Sequence, residues 1–321
     1  MTTKKTFLLV DGHNVFIRAY SGLAKQDFRN SDGIATWGVY GFLNTLTSMV
    51  RRYQPTHVLV TFDKGKSRKR LEMYPQYKAN RDKDSKERIA KKVAAGEVDE
   101  FLPQFDLLFE FLKSMGVPYL RISGVEADDI IAKASIEFGP LFDKVVIISA
   151  DHDIRQLIRN NVIVVKPSLS QSRDVKEEVF TVEKTLEEWG VEPWRLPEIW
   201  ALMGDKGDNI PGVPGIGPVK AKKLIQDFGN LEKAIQSEKV NEYEPTVRRA
   251  FKLIQLDGKD DIPFPPLGNL QFNPITKEIP NHGLKLQEML DYFEFNVIKE
   301  RWENNELWSE KTFGRKLGNN G

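Results

Sequence analysis

The sequence predicts an α/β fold in which a mostly parallel central sheet is covered by helices. Three observations lead there. Residues 6–12, 57–63 and 144–151 read TFLLVDG, HVLVTFD and KVVIISAD, continuous aliphatic runs that suit strands buried on both faces. Helical patterns lie between them at 40–53, 100–116 and 127–139, so strands alternate with crossover helices. The chain has 321 residues, 40% hydrophobic and 29% charged, enough for a soluble, globular protein of roughly two domains.

Taken in order, the N-terminal stretch MTTKKTFLLVDGHN reads as a first strand because its short apolar run ends at a charge. The three strand-like runs end at or near Asp11, Asp63, Asp151 and Asp153. In a parallel sheet ligands bind beyond the carboxyl ends of the strands, so topology gathers these acids. From 80 to 100 the apolar pattern fails and charge dominates, a length that marks a functional or disordered segment. After about 176 strand runs disappear and helical patterns take over, interrupted by the Gly/Pro-rich GDNIPGVPGIG. Residues 284–302 return to helix, and 306–321 read as a disordered polar tail. The domains expected are an α/β core over 1–175, with a charged excursion at about 78–115, and a helical unit over 176–305.

The segment GVEADDIIAKA, residues 124–134, places Glu126, Asp128 and Asp129 at the mouth of a helix. Asp205 and Asp208 follow in MGDKGDN. Each acid has an ordinary explanation: a helix dipole for Asp128 and Asp129, a turn for Asp11, turn and cap positions for Asp205 and Asp208. Gathered together they repel one another, and hard divalent cations remove that conflict. Carboxylate-only ligation points to Mg²⁺ or Mn²⁺, and two such ions ~3.5–4 Å apart can clamp a phosphodiester.

The composition excludes other chemistries. There are no cysteines, hence no disulfides, zinc–thiolate sites or cysteine nucleophiles. His13, His57, His152 and His282 show no paired ligand spacing, and there is no G-x-S-x-G elbow. No apolar run nears the ~20 residues of a membrane span. Net charge is +1, yet residues 66–92 carry eleven Lys and Arg against four acids, which suits a polyanionic partner. GVPGIGPVK matches neither phosphate-binding glycine motif and reads as a hairpin before a helix, able to grip a DNA phosphate with Lys220, Lys222 and Lys223 nearby.

These residues resemble the 5′-nuclease (flap endonuclease) family, in the stand-alone or phage form of the 5′-nuclease domain of bacterial DNA polymerase I. LLVDGHNVFIRAY, YQPTHVLVTFD, YPQYKANRD, GVEADD, ISADHDIRQL and LMGDKGDNIPGVPGIGPVKAKKLI occur in the family's order, over roughly residues 6–305. The resemblance implies a PIN-like core, a helical arch, and a C-terminal helix–hairpin–helix domain. It implies a two-metal phosphodiesterase of replication or repair acting on DNA with a 5′ flap, nick or free 5′ end, RNA-primed ends included. By motif position, Asp11, Asp63, Glu126, Asp128, Asp129, Asp151, Asp153, Asp205 and Asp208 would be metal acids. Lys78 and Arg81 would contact the scissile phosphate; three apart, they would share a helix face. Tyr77, Arg70, Lys83, Gly212, Gly215, Gly217, Lys220 and Lys222 would contact DNA, with K⁺ on the hairpin carbonyls. A cytoplasmic monomer is expected. Two other readings remain open here: a DNA-binding clamp without catalysis, and a ribonuclease using the same acids. One departure stands out. The family often has a base-stacking aromatic six residues after the first Asp, where this chain has Ile17. Phe16 precedes it by about 100° of helical turn and is expected in the core.

Overall fold

The computed structural model describes residues 4–81, 99–168, 175–272 and 280–303. The strands β1 (Thr6–Asp11), β2 (His57–Lys64), β3 (Tyr119–Ser123), β4 (Lys144–Ile148), β5 (Val162–Pro167) and β6 (Glu177–Phe180) form one sheet in the order β3-β2-β1-β4-β5-β6. All neighbours are parallel except β5 and β6. The strand β1 sits at the centre, with Val10 aligned to Val60 on one side and Ile148 on the other. Connections run outward in both directions from the β1/β4 pair. That is a topological switch point, and the crevice at its carboxyl edge is where such sheets bind ligands.

The helices α1 (Gly12–Leu23), α2 (Trp37–Tyr53), α3 (Arg68–Met73), α4 (Phe101–Ser114) and α5 (Ala127–Phe138) belong to this half. On one face of the sheet Phe16, Phe42, Leu46, Phe105, Leu108 and Phe111 from α1, α2 and α4 pack with Leu8, Val10, Val60 and Phe62. On the other face Ile130, Ile131 and Ala134 of α5 cover Phe7, Leu9, Leu59 and Ile147.

Beyond the sheet come α6 (Val182–Trp189), α7 (Leu196–Met203), α8 (Pro218–Phe228), α9 (Leu231–Ile235) and α10 (Glu244–Ile254), built around their own cluster of Leu196, Ile199, Leu202, Ile225 and Val247. A two-residue ladder, Gly204–Asp205 with Ile210–Pro211, lies in the connection between α7 and α8. Between α8 and α9 the chain turns at Gly229, whose φ of 84° suits a residue without a side chain. The last helices, α11 (Pro280–Tyr292) and α12 (Asn296–Glu303), are split at Phe293–Phe295.

Three boundaries differ from the sequence reading. The arch allotted to 78–115 overlaps α4, whose Phe105, Leu108, Phe111 and Leu112 are fully or almost fully buried; the apolar period of that stretch outweighs the charge before it. Residues 82–98, with Lys83, lie outside the described residues, as does the tail 306–321. The first domain does not end at 175, because β6 completes the sheet. Nor does the helical unit extend unbroken to 305: Leu286, Leu290, Phe295 and Ile298 return to the core beneath α2 and α4. The strand β3 was missed because it is a short edge strand with every second residue exposed. Among the described residues no helix is long and apolar enough to cross a membrane.

Phe16 is fully buried, with its ring 5.0 Å from that of Phe105 and 5.3 Å from that of Phe101, while Ile17 is 41% exposed. Phe16→Ala should therefore lower stability by about 3–5 kcal/mol, and Ile17→Ala should change it little. Denaturant midpoints measured on both variants check this; a Phe16→Ala protein as stable as wild type would overturn the assignment.

Candidate metal centre

The acids at the carboxyl edge are held by backbone and hydroxyl donors, which fix their direction. Asp11 caps α1, accepting the Asn14 N–H at 3.0 Å on one oxygen and the Ser149 hydroxyl at 2.8 Å on the other. Asp63 accepts the Ala127 N–H at 2.7 Å, which pins the start of α5 to the end of β2. Asp128 and Asp129 occupy the first turn of α5, so the helix dipole favours both. Asp151 accepts the N–H of Asp153 at 3.0 Å, and Asn14 holds the Ala150 N–H at 3.0 Å.

The acids divide into overlapping groups. Asp128 lies within the field of Asp151, Asp11 and Asp63. Oxygens of Asp153, Asp205 and Asp208 come within 4.8 Å of one another, and so do ligand atoms of Asp151, His152 and Asp153. Asp205 and Asp208 arrive from the connection after α7, where the Gly207 and Asp208 N–H groups close onto Asp205.

Burial pushes the Asp11 carboxyl up to about 7, and neighbouring Asp63 and Asp151 add to it against the donors from Asn14 and Ser149. Burial, then Asp151, drives Asp128 well above the carboxylate range. Asp153 behaves likewise, with Asp151, Asp205 and Asp208 reinforcing burial. Carboxylates so raised lack compensating positive charge. An all-oxygen donor set of this kind fits a hard divalent cation.

A second, internally neutralised layer lies beside them. Glu126 accepts Lys78 Nζ at 2.8 Å on one oxygen, and the Tyr77 hydroxyl at 2.8 Å and Arg70 at 3.2 Å on the other. Burial alone would raise Glu126, yet Lys78 and Arg70 hold it below the usual range. Arg81 pairs with Asp208, and Lys78 stands 3.7 Å from it. Both are brought there by the docking of residues 76–81 onto 206–209: Lys78 N–H bonds the Asp208 carbonyl at 2.9 Å, and Asn209 bonds the Gln76 carbonyl at 2.7 Å. Lys78 is not helical but left-handed, with φ of 54°, so it does not share a helix face with Arg81. They converge through the turn instead.

Several sequence assignments change. Arg70 is 7% exposed; its fork binds both Asp129 oxygens, at 2.6 and 2.8 Å, and its Nε donates to the Leu253 carbonyl of α10 at 2.8 Å. It is an internal tie and not a DNA contact. Asp129 is likewise taken by Arg70 on both oxygens, which removes it from the free metal acids. Tyr77 is 2% exposed, with its hydroxyl on Glu126 and Asp208, so it too faces inward. Gly212 serves packing: a Cβ there would lie 2.2 Å from the Met203 backbone. Gly215 and Gly217 instead face open space, Gly215 with φ of 75°. Lys220 donates to the Gly215 carbonyl at 2.8 Å and Lys222 to the Glu188 carbonyl at 2.9 Å, both near the surface.

The sequence reading overlooked Ser149 and Asn14, although both lie in motifs quoted for their acids. His13 was also passed over. Its Nδ1 is buried without a partner, its ring stands 5.3 Å from that of Phe105, and burial lowers its pKa.

Comparisons with known proteins place this geometry. Residues 6–190 match the 5′-3′ exonuclease N-terminal resolvase-like domain, and residues 191–275 match the 5′-3′ exonuclease C-terminal SAM fold. A 5′-3′ exonuclease of Aquifex aeolicus is 33% identical over 258 residues, spanning 78% of this chain and 82% of that protein. DNA polymerase I of Streptococcus pneumoniae is 38% identical over 234 residues, 71% of this chain but 24% of the polymerase, so the chain corresponds to about a quarter of that relative. The T5 5′-exonuclease, solved with divalent zinc ions, is 25% identical with a TM-score of 0.66, covering 94% of this chain and 98% of that one. Flap endonuclease-1 from Methanococcus jannaschii, 19% identical with a TM-score of 0.55 over 93% and 94% of the two chains, shares the fold.

The raised acids make stability depend on pH in a definite direction. Asp11 contributes fully when protonated, below its ordinary value of 3.8, and that contribution is lost as pH rises through about 7. Asp128 and Asp153 act in the same sense. Glu126, held low, contributes fully above its ordinary 4.5 and is constant in this window. Metal-free protein should thus melt at progressively lower temperature between about pH 5 and 7. Added Mg²⁺ should raise Tm more at the alkaline end. Thermal melts in chelator and in Mg²⁺ across that range test it, and a metal-free Tm rising with pH would contradict it.

Proposed function

Because the chain belongs to the 5′-3′ exonuclease family, we propose that it hydrolyses phosphodiester bonds in DNA bearing a 5′ flap, nick or free 5′ end, including RNA-primed ends. The observation that carries this reading is the meeting of Asp11, Asp63, Asp128, Asp151 and Asp153 with Asp205 and Asp208 from a separate helical unit. Members of this family depend on divalent metal. Asp11, Asp63, Asp128, Asp151, Asp153, Asp205 and Asp208 would hold Mg²⁺ or Mn²⁺, with Glu126 joining once Lys78 leaves it. Such ions lower the pKa of water and neutralise charge on a displaced oxygen.

The protein's own groups do the rest. Lys78 and Arg81 already stand against the acids and exchange a carboxylate for the scissile phosphate as substrate enters. Asn14 and Ser149 keep Asp11 aimed, and the Ala127 N–H does so for Asp63. Gly215 and Gly217 leave backbone open for duplex phosphates at the start of α8, with Lys220 beside them. The hairpin carbonyls would hold K⁺, which would add positive charge facing the duplex phosphates. The nuclease core then comprises the six-stranded sheet with its helices and the returning C-terminal pair, and α6–α10 form the duplex-holding unit. A cytoplasmic monomer accords with this work on DNA.

A labelled 5′ flap incubated with Mg²⁺, with products sized, tests the proposal, and no cleavage would defeat it. Asp153→Asn should reduce cleavage to near background while DNA binding stays close to wild type, since removing one carboxylate affects catalysis more than phosphate attraction. Lys78→Ala should slow the single-turnover step by about 10²–10³-fold, as for removal of a donor aimed at developing charge. A Lys78→Ala loss seen only in affinity would reassign that residue to general DNA binding.

A further inference from the structure

Arg121 is an exposed arginine on the edge strand β3, and its guanidinium rests against two aromatic rings and a backbone carbonyl. It lies 5.7 and 5.4 Å from the ring centroids of Phe105 and Phe109 on α4. Its Nε donates to the backbone carbonyl of Asp63 at 3.3 Å. Among the described residues no carboxylate stands within ion-pair distance of it, so its outer N–H groups have no acidic partner. Its charge is felt at His13, beside Asp11 and Asp63. An arginine braced by aromatic rings and a carbonyl has already lost much of its rotamer freedom, which makes it an effective anion contact.

Its position along the sheet says which part of a substrate it meets. The order β3-β2-β1-β4 sets Arg121 outboard of Asp63, with Asp11 and then Asp151 and Asp153 beyond. The helical unit packs at the far end, where α7 lies against Asp153–Leu157. A strand whose duplex is held by that unit, and whose scissile phosphate lies at the acids, therefore leaves over Asp63 and Arg121. We propose that Arg121 binds a phosphate of the cleaved strand on the 5′ side of the cut, so that it favours substrates with a 5′ extension. This rests on the nuclease reading above.

The test compares wild type, Arg121→Ala and Arg121→Lys for binding, in Ca²⁺, to a duplex with a single-stranded 5′ extension and to the same duplex with a recessed 5′ end. Arg121→Ala should weaken binding to the extended substrate about five- to tenfold and reduce its salt slope by about 0.7, the loss of one single-strand phosphate contact. Binding to the recessed duplex and Tm should stay near wild type, and Arg121→Lys should recover part of the loss. Equal weakening on both substrates, or none on either, would overturn the proposal. Wild-type cleavage of the flap in Mg²⁺ is scored separately: its absence would strike the nuclease reading, whereas these binding ratios judge Arg121 alone.

Discussion

The architecture answers to one constraint, the repulsion among carboxylates collected at a single sheet edge. Burial and mutual proximity push Asp11, Asp128 and Asp153 upward. A protein under no functional demand would disperse such groups, because each uncompensated buried charge is costly. Here the backbone instead invests donors in holding them. Asp11 receives a helix cap and a serine hydroxyl, Asp63 a helix N–H, and Asp205 two turn N–H groups. These donors orient the acids without supplying full positive charge, which leaves the compensation to a cation.

The same constraint explains the cationic layer around Glu126 and Asp208. Arg70, Tyr77, Lys78 and Arg81 come from one short stretch of chain, yet they have different tasks. Arg70 and Tyr77 are buried and multiply bonded, and Arg70 ties α3 to α5 and to the last turn of α10. That is the geometry in which a fork matters more than a point charge. Lys78 is buried almost as deeply as Arg70, whereas Arg81 lies further out and is more than half exposed. Arg81 can leave its pair at small cost, Lys78 could leave Glu126 only in exchange for another charged partner, and Arg70 is tied on too many sides to leave.

Much of this was legible in the sequence. The three hydrophobic strands, the gathering of acids at their ends, and the hairpin before α8 all follow from run length and punctuation. Misreadings arose where the deciding contact is remote in sequence. Arg70 and Asp129 looked like a DNA contact and a metal acid, but they select each other across 59 positions. The strand β6 was hidden because it is only four residues long. The C-terminal helices were assigned to the helical unit because apolar periodicity records that a face is buried, not against what. Phe16 shows the converse: the demand that α1 bury one face sufficed, and its ring lies among those of Phe101 and Phe105.

Lys78 brings these threads together. Its left-handed backbone is unusual for a residue with a long side chain and costs on the order of 1 kcal/mol or more. The cost is borne because the turn must do two things at once: offer its N–H to the Asp208 carbonyl and aim its ammonium at Glu126. Burial acts against that ammonium, yet Glu126 and Asp208 keep it above its usual pKa, so it stays charged at neutral pH. A charged lysine held among these acids, on backbone that also docks onto residues 206–209, would on the proposed reading link arrival of a phosphate to freeing of a carboxylate. On the proposed reading substrate and cation would not compete for the centre: a phosphate that drew Lys78 outward would leave Glu126 for the metal.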